Sequence, residues 1–332
     1  MAGRASRLRE QLASFLGRAI GSERGRLSRR MDDSVRTVVR AAMKRKRARL
    51  LAIASPIPTT NGTLRLLEPP DSCQRTLQDR LFDGTYNKPF IIDSKVWRFL
   101  HFNFDSVQSA MYLSAPAWLS LAYTRKMMAF LLFNRLPERI LLLGLGGGSL
   151  AKFCHRHLRG AALTAVEVNP NVIALREDFR IPPDDDRFRV ICTDGAGYVA
   201  RLRLSKDVIL ADACDGRGVA PELDAIEFYR DAYRGLRPGG IFVTNMCGDK
   251  SNCAAHITKI RNAFGDDVIM LQVPPDGNVI VFAFKDRHPN FDWDQLGTIA
   301  IDLKGSFCLD FPRYVRAMAL DWKSRKWQRV SV

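Results

Sequence analysis

From Arg139 onward, short continuous apolar runs alternate with stretches of helical character. Ile140-Leu-Leu-Leu143, the run ending at Ala165-Val-Glu167, Phe188-Arg-Val-Ile-Cys192, Asp207-Val-Ile-Leu-Ala211 and Ile241 to Thr244 read as buried strands. Strands alternating with helices predict an α/β protein with a doubly wound, mostly parallel sheet. Val268 to Val273 and Asn278 to Phe284, joined through Pro274-Pro-Asp-Gly277, predict a closing antiparallel hairpin at its C-terminal end. Upstream, Phe90-Ile-Ile92, Val96 to Phe104 and Gln108 to Leu113, with turn signals such as Asp83-Gly84, predict a small β-rich lead-in. Residues 116–134 are apolar nearly all round, so a buried helix is expected there.

The turn after the first of these strands carries chemistry. Glycines at 144, 146, 147 and 148 let the backbone approach a ligand and leave the next helix's N-terminus open. Glu167, about twenty residues on, ends the second strand, where a carboxylate can accept hydrogen bonds from ribose hydroxyls. Asp194-Gly195 follows the third strand and is positioned to receive an adenine amino group. Asp212 ends the fourth. Acids at three successive strand ends fit an adenosyl sulfonium better than a dinucleotide, because ligands of open parallel sheets bind at that edge. A tight turn without a ligand is the blander alternative.

These stretches resemble the spermidine synthase-like aminopropyltransferases, over roughly residues 100 to 285. The likeness also includes Asp194-Gly-Ala-Gly-Tyr198, Asp207 to Asp215, Glu227-Phe-Tyr-Arg-Asp-Ala-Tyr-Arg-Gly-Leu-Arg-Pro-Gly-Gly240 and, upstream, Phe104-Asp-Ser-Val-Gln108. The resemblance implies a Rossmann-like methyltransferase fold and aminopropyl transfer in polyamine biosynthesis. The donor substrate would be S-adenosylmethionine or its decarboxylated form, with no metal. It implies Asp212 as the base that takes the amine proton, Asp215 as the residue that orients the acceptor, and Tyr123 as an acceptor hydrogen bond. Gln108 and Asn245 would line the donor site. The competing readings are helix or turn capping for the aspartates, core packing for Tyr123, and structural hydrogen bonds for Gln108 and Asn245.

Where the chain departs from the family, the acceptor comes into question. The acid within the family's glycine loop is Gly146 here. The acid pair around the polyamine reads Leu119-Ser120, and the Tyr-His-Glu run reads Tyr123-Thr124-Arg125. A polyamine is a polycation, and a buried cation needs carboxylate partners. Putrescine is therefore expected to be a poor acceptor, with Arg125 adding repulsion. An acid at position 146 would repel the carboxylate of S-adenosylmethionine. Gly146 removes that filter, and Arg125 or Lys126 is placed to meet the carboxylate. Methyl transfer to a small molecule or RNA, or nucleoside binding without turnover, are the alternatives.

Composition changes the picture little. The 332 residues are 46% apolar, enough for one large domain with appendages. The net charge of +16 is concentrated: residues 1–50 hold fifteen Lys or Arg against four acids, and the body is only mildly basic. Membrane or nucleic-acid contact through 1–50 is open, but a solvated extension or upstream sequence translated before Met31 or Met43 is favoured. The expected division is an extension over 1–51, a linker over 52–62, the lead-in over 63–115, a nucleoside-binding catalytic domain over 116–290 and an aromatic, basic tail over 291–332 that packs on the body or meets a partner. Cys154, Cys192, Cys214 and Cys247 read as small buried residues, and Cys214 as a weak thiol candidate. The scattered cysteines give no disulfide framework, so a cytoplasmic setting is expected. His155 and His157, two apart, do not share a helix face and are no metal pair. Besides the small-molecule acceptor, the sequence leaves a homodimer open.

Overall fold

The computed structural model describes residues 50–55, 62–212, 214–215, 218–219, 223–247, 250–266, 268–274, 277–286 and 291–330. The readings made for residues 1–49 and 56–61 lie outside these. The chain divides into two compact units. One takes in the described residues up to Ser120 together with Gly146–Lys152 and Asn169–Arg189. The other holds Leu121–Leu145, Phe153–Val168 and the rest from Val190.

The first unit is built on an antiparallel five-stranded sheet in sequence order: β1 (Leu51–Ala54), β2 (Thr63–Leu66), β3 (Phe90–Asp93), β4 (Trp97–His101) and β5 (Ser109–Tyr112). The expected linker thus begins inside a strand, since Leu51–Ala54 pairs with Thr63–Leu66. Between β2 and β3, α1 (Gln74–Asp83) buries Leu77 and Leu81, four residues apart on one face. It ends at Gly84, whose φ of 81° supplies the left-handed cap signalled by Asp83-Gly84. A half-buried ion network fastens this unit. Arg98 pairs with Asp93 at 2.6 Å, and Asp93 also takes Arg65 at 2.7 Å.

Beyond Ser120 the elements run α2 (Ala122–Met127), a 3-10 turn (Met128–Leu132), β6 (Arg139–Leu143), α3 (Ser149–His157), β7 (Ala162–Glu167), α4 (Pro170–Ala174), β8 (Phe188–Cys192), α5 (Gly195–Ala200) and β9 (Lys206–Ala211). The short β10 (Cys214–Asp215) and β11 (Gly218–Val219) pair with each other. Then come α6 (Ile226–Gly235), β12 (Leu236–Met246), α7 (Lys250–Phe264), β13 (Val268–Val273), β14 (Asn278–Phe284), α8 (Trp293–Phe307) and α9 (Phe311–Val330). The expected helix over 116–134 is shorter than its apolar pattern. Its buried character holds, with Met127 to Leu132 all nearly inaccessible.

The seven-stranded sheet has the order β13-β14-β12-β9-β6-β7-β8. β6 lies between β9 and β7 and is parallel to both, while β14 runs antiparallel to β12 and closes the hairpin with β13. This is the doubly wound, mostly parallel sheet with a C-terminal hairpin that the alternation predicts. The strand expected from Ile241 starts earlier, at Leu236, with an irregular register between Leu236 and Ile241. β6 is buried from Ile140 to Leu143, because helices cover both faces of a parallel sheet. The tail forms α8 and α9 and packs on the body: the Met270 N–H of β13 donates to Asp321 Oδ2 of α9 at 3.0 Å, and Phe291 lies 5.2 Å from Phe133. Among the described residues, no helix is long and apolar enough to cross a membrane.

Candidate active site

Chain travel across the sheet reverses at β6. That makes its carboxyl end the switch point, where a crevice opens for a ligand. The backbone there is shaped by Gly144, with a φ of 90°, whose N–H donates to the Val166 carbonyl at 2.9 Å and so continues the ladder with β7. The next N–H, that of Leu145, donates to Glu167 Oε2 at 2.9 Å. Glu167 is 9% exposed, so its carboxylate both fixes the start of the turn and stands at the end of β7. Val168 follows it and is 68% exposed, an unusual position for an apolar residue beside a buried acid. The sequence reading passed over Val168. The signal available was its place after the strand-end acid, where an apolar face suits a stacked base.

Asp212 follows β9. Its N–H donates to the Leu143 carbonyl at 2.8 Å, which ties it to the end of β6. Tyr123 Oη donates to Asp212 Oδ2 at 3.1 Å, and Asn245 Nδ2 donates to Oδ1 at 3.1 Å. Asn278 Nδ2 in turn donates to Asn245 Oδ1 at 2.9 Å. Desolvation pushes the Asp212 carboxyl up to about 6, against the opposing hydrogen bonds from Asn245 and Tyr123. A carboxylate poised near neutrality, held by two donors and placed at a ligand edge, is suited to accept a proton.

The fold therefore brings Tyr123, Asp212 and Asn245 together. Asn245 hydrogen-bonds Asp212 directly, the second of the two readings made for it. Asn278 was missed, since an isolated Asn at the start of a hairpin strand carries no motif. Asp194 caps α5, accepting from the N–H groups of Ala196 (3.4 Å) and Gly197, and its carboxylate is exposed. Gly195 opens that helix. The side chains of Cys214 and Asp215 lie outside the described residues.

Arg125 and Lys126 have neighbours elsewhere in the same unit. Lys126 donates its ammonium to the Gln272 carbonyl on β13. Arg125 lies near enough to Tyr314 of α9 to oppose the rise in that phenol's pKa, which burial pushes up to about 12. Arg125 and Tyr123 are two apart on α2 and so point to different sides.

The other part of the glycine turn belongs to the first unit. Gly146 and Gly148 both have positive φ, 49° and 67°. A side chain at Gly146 would meet nothing within 4 Å. A Cβ at Gly147 would stand 2.5 Å from Ser109 Oγ, and one at Gly148 would stand 2.4 Å from Ile181 Cγ1. Gly148→Ala is accordingly expected to destabilise by about 2–4 kcal/mol, combining overpacking with left-handed strain. Gly146→Ala, with strain alone, should cost about 1–2 kcal/mol. Thermal unfolding of the two variants side by side checks the order. Gln108, next to Ser109, donates its amide to Ser106 Oγ at 3.0 Å. Lys152 of α3 is buried, and its ammonium donates to the Phe179 carbonyl at 2.8 Å. Desolvation, with Arg180 and Arg98 nearby, lowers its pKa to about 7.

Cys154 is buried as expected, but Cys192 is exposed. Cys247 is half-buried and disulfide-bonded rather than a free core thiol. His157 packs on Phe153 at 4.6 Å. Among the described residues, no cluster of three or more His, Cys, Asp or Glu side chains could hold a metal ion.

A glycine turn at the switch point of a doubly wound sheet, with acids ending the neighbouring strands, defines a methyltransferase-type α/β fold. The spermine/spermidine synthase domain matches residues 120–275. A polyamine aminopropyltransferase of Chromobacterium violaceum is 40% identical over 222 residues, covering 67% of this chain and 85% of the relative. That of Neisseria meningitidis serogroup A is 38% identical over 223 residues, with the same coverage. The chain belongs to the spermine/spermidine synthase family, and it is a transferase. Solved structures show the same fold. A probable spermidine synthase from Corynebacterium glutamicum has a TM-score of 0.56 at 22% identity, over 66% of this chain and 85% of its own. A spermidine synthase in complex with the transition-state analogue AdoDATO has a TM-score of 0.57 at 19% identity, over 73% and 85%.

Proposed function

We propose that this enzyme transfers an aminopropyl group from decarboxylated S-adenosylmethionine to a small amine, with Asp212 as the base. The observation that carries the reading is the half-buried carboxylate held between Tyr123 and Asn245, with its pKa raised to about 6. Asp212 takes a proton from the acceptor's ammonium. The freed lone pair forms the new carbon–nitrogen bond as the carbon–sulfur bond breaks, and its electron pair returns sulfur to a neutral thioether. The departing sulfonium charge needs no counter-acid, so one base suffices. Glu167 would hold the ribose hydroxyls, Val168 would lie under the base, and Asp194 with Gly195 would meet the adenine edge. Gly144 would let the backbone approach the donor, and the family resemblance assigns Gly146, Gly148 and Gln108 to the donor as well. Asp215 would orient the acceptor.

Two features bear on the acceptor: Arg125 brings a cation on α2, and the buried Leu119-Ser120 pair brings no charge to a second ammonium. Putrescine is therefore expected to turn over with a high KM relative to monoamines or longer, differently charged amines. The open space at Gly146 bears on the donor. S-adenosylmethionine and its decarboxylated form should bind within about tenfold of each other, because no loop acid repels the carboxylate. Calorimetric titration with each donor tests this, and Gly146→Asp should weaken S-adenosylmethionine selectively. A preference above a hundredfold for the decarboxylated donor in the natural chain would defeat the Gly146 reading. Methyl transfer from S-adenosylmethionine, detected by product mass, would replace the aminopropyl reading altogether.

A further inference from the structure

We propose that Asn278 is a positioning residue for the transfer reaction, locking the amide of Asn245 so that its NH2 faces Asp212. The inference rests on the reading of Asp212 as the base.

Strand register puts the three side chains in line. Thr244 pairs with Ala211 in the parallel ladder, which sets Asn245 beside Asp212. Asn245 sits opposite Ile280 in the antiparallel ladder, so Asn278, two residues back along β14, is its diagonal neighbour on the same face. Chemistry then fixes the amide's direction. An ionised carboxylate only accepts hydrogen bonds, so Asn245 must present its NH2 to Asp212 and turn its carbonyl away. Asn245 is 3% exposed, leaving that carbonyl to be satisfied inside the protein. Asn278 Nδ2 reaches it at 2.9 Å.

A flipped amide would turn a carbonyl oxygen toward the carboxylate and leave the NH2 of Asn278 facing another NH2. With Asn278 in place, Asp212 Oδ1 is held by Asn245, and Oδ2 is the oxygen shared with Tyr123. Tyr123, from α2, is the titratable side chain that reaches Asp212 among the described residues. β6 contributes the Leu143 main-chain carbonyl to the Asp212 N–H, and β12 contributes the neutral Asn245. Asn278 starts β14 directly after Gly277, which places the control of the amide at the hairpin's turn.

The test is the pH profile of kcat/KM for Asn278→Asp and Asn278→Ala, each in the natural chain and in an Asn245→Ala background. An aspartate at position 278 accepts from the Asn245 NH2 and turns the amide over. The acidic limb of that variant should rise by a pH unit or more, with kcat/KM at pH 6.5 falling about threefold or further. Asn278→Ala, which frees the amide without reversing it, should show a smaller displacement in the same direction. Donor affinity by calorimetry should stay within about twofold for both, which also shows that they fold. Without Asn245 the substitutions of Asn278 should no longer move the limb. An unmoved limb in the natural chain overturns the inference. An equal shift with and without Asn245 also overturns it, since the introduced carboxylate would then act by direct charge. Asp212→Asn separates the two readings: if that variant retains turnover, the base assignment fails, whatever Asn278 does.

Discussion

Asp212→Asn is expected to lower kcat by about 10²–10⁴-fold while leaving the donor's affinity nearly unchanged, since it removes the proton acceptor and little else. The replacement is close to isosteric, but it sets an amide against the Asn245 NH2 on one side and the Tyr123 hydroxyl on the other. Only one of its two ends can accept. In the natural enzyme the carboxylate must be ionised to act. The acidic limb of kcat/KM should therefore fall near pH 6, the value to which burial lifts the group. Stability should respond in the opposite sense. The folded state holds this proton more tightly than the unfolded chain does, so the contribution is fully present below the ordinary carboxylate range. It is lost as pH rises from about 4 through about 6. Above that the ionised group costs roughly 3 kcal/mol at most, and the neutral Asn should recover part of it. A variant inactive in turnover yet no less stable at pH 8 is the expected pair of results. Steady-state kinetics and thermal unfolding on the same preparation would show it.

Glu167→Ala should weaken donor binding about 10²–10⁴-fold in either donor form. In the proposed site, two charge-assisted hydrogen bonds to ribose hydroxyls would contribute on the order of 1.5–3 kcal/mol each relative to water, on a part of the donor both forms share. The same substitution strips the Leu145 N–H of its partner at the start of the glycine turn. Part of the loss therefore comes from the protein's own backbone. Glu167→Gln separates the contributions, because the amide oxygen can still accept from Leu145 but carries no charge for the ribose. It should lie between the natural chain and the alanine variant. Equal donor affinity in all three would remove Glu167 from the site and with it the nucleoside reading of the β7 edge.

Much of this molecule is legible in one dimension because its elements announce themselves locally. The apolar runs at 140–143 and 207–211, the glycine turn and the acids at 167 and 212 each sit within a few residues of a strand end. The parallel topology then carries them to one edge. Period and turn chemistry are properties of neighbouring residues, so the doubly wound sheet, the hairpin over 268–284 and the strand-end acids follow from the chain itself. The helix over 116–134 and the linker over 52–62 were misjudged at their ends. Apolar content does not say where a turn tightens, and a strand as short as Leu51–Ala54 is held by its partner rather than by its own pattern.

What tertiary structure alone decided are the directions of side chains whose partners are distant in sequence. Lys126 carried no sign of a partner on β13, yet its ammonium reaches the Gln272 carbonyl. Asn245 and Asn278 carried no motif, yet strand register joined them in a chain of amides ending on Asp212. The sequence by itself determined the sheet, the glycine turn and which carboxylates reach its edge, because backbone periodicity is local. It could not determine which of the polar groups nearby hold Asp212. A side chain's hydrogen-bond partner is set by the register of strands 33 residues apart, and that separation leaves no trace in the local pattern.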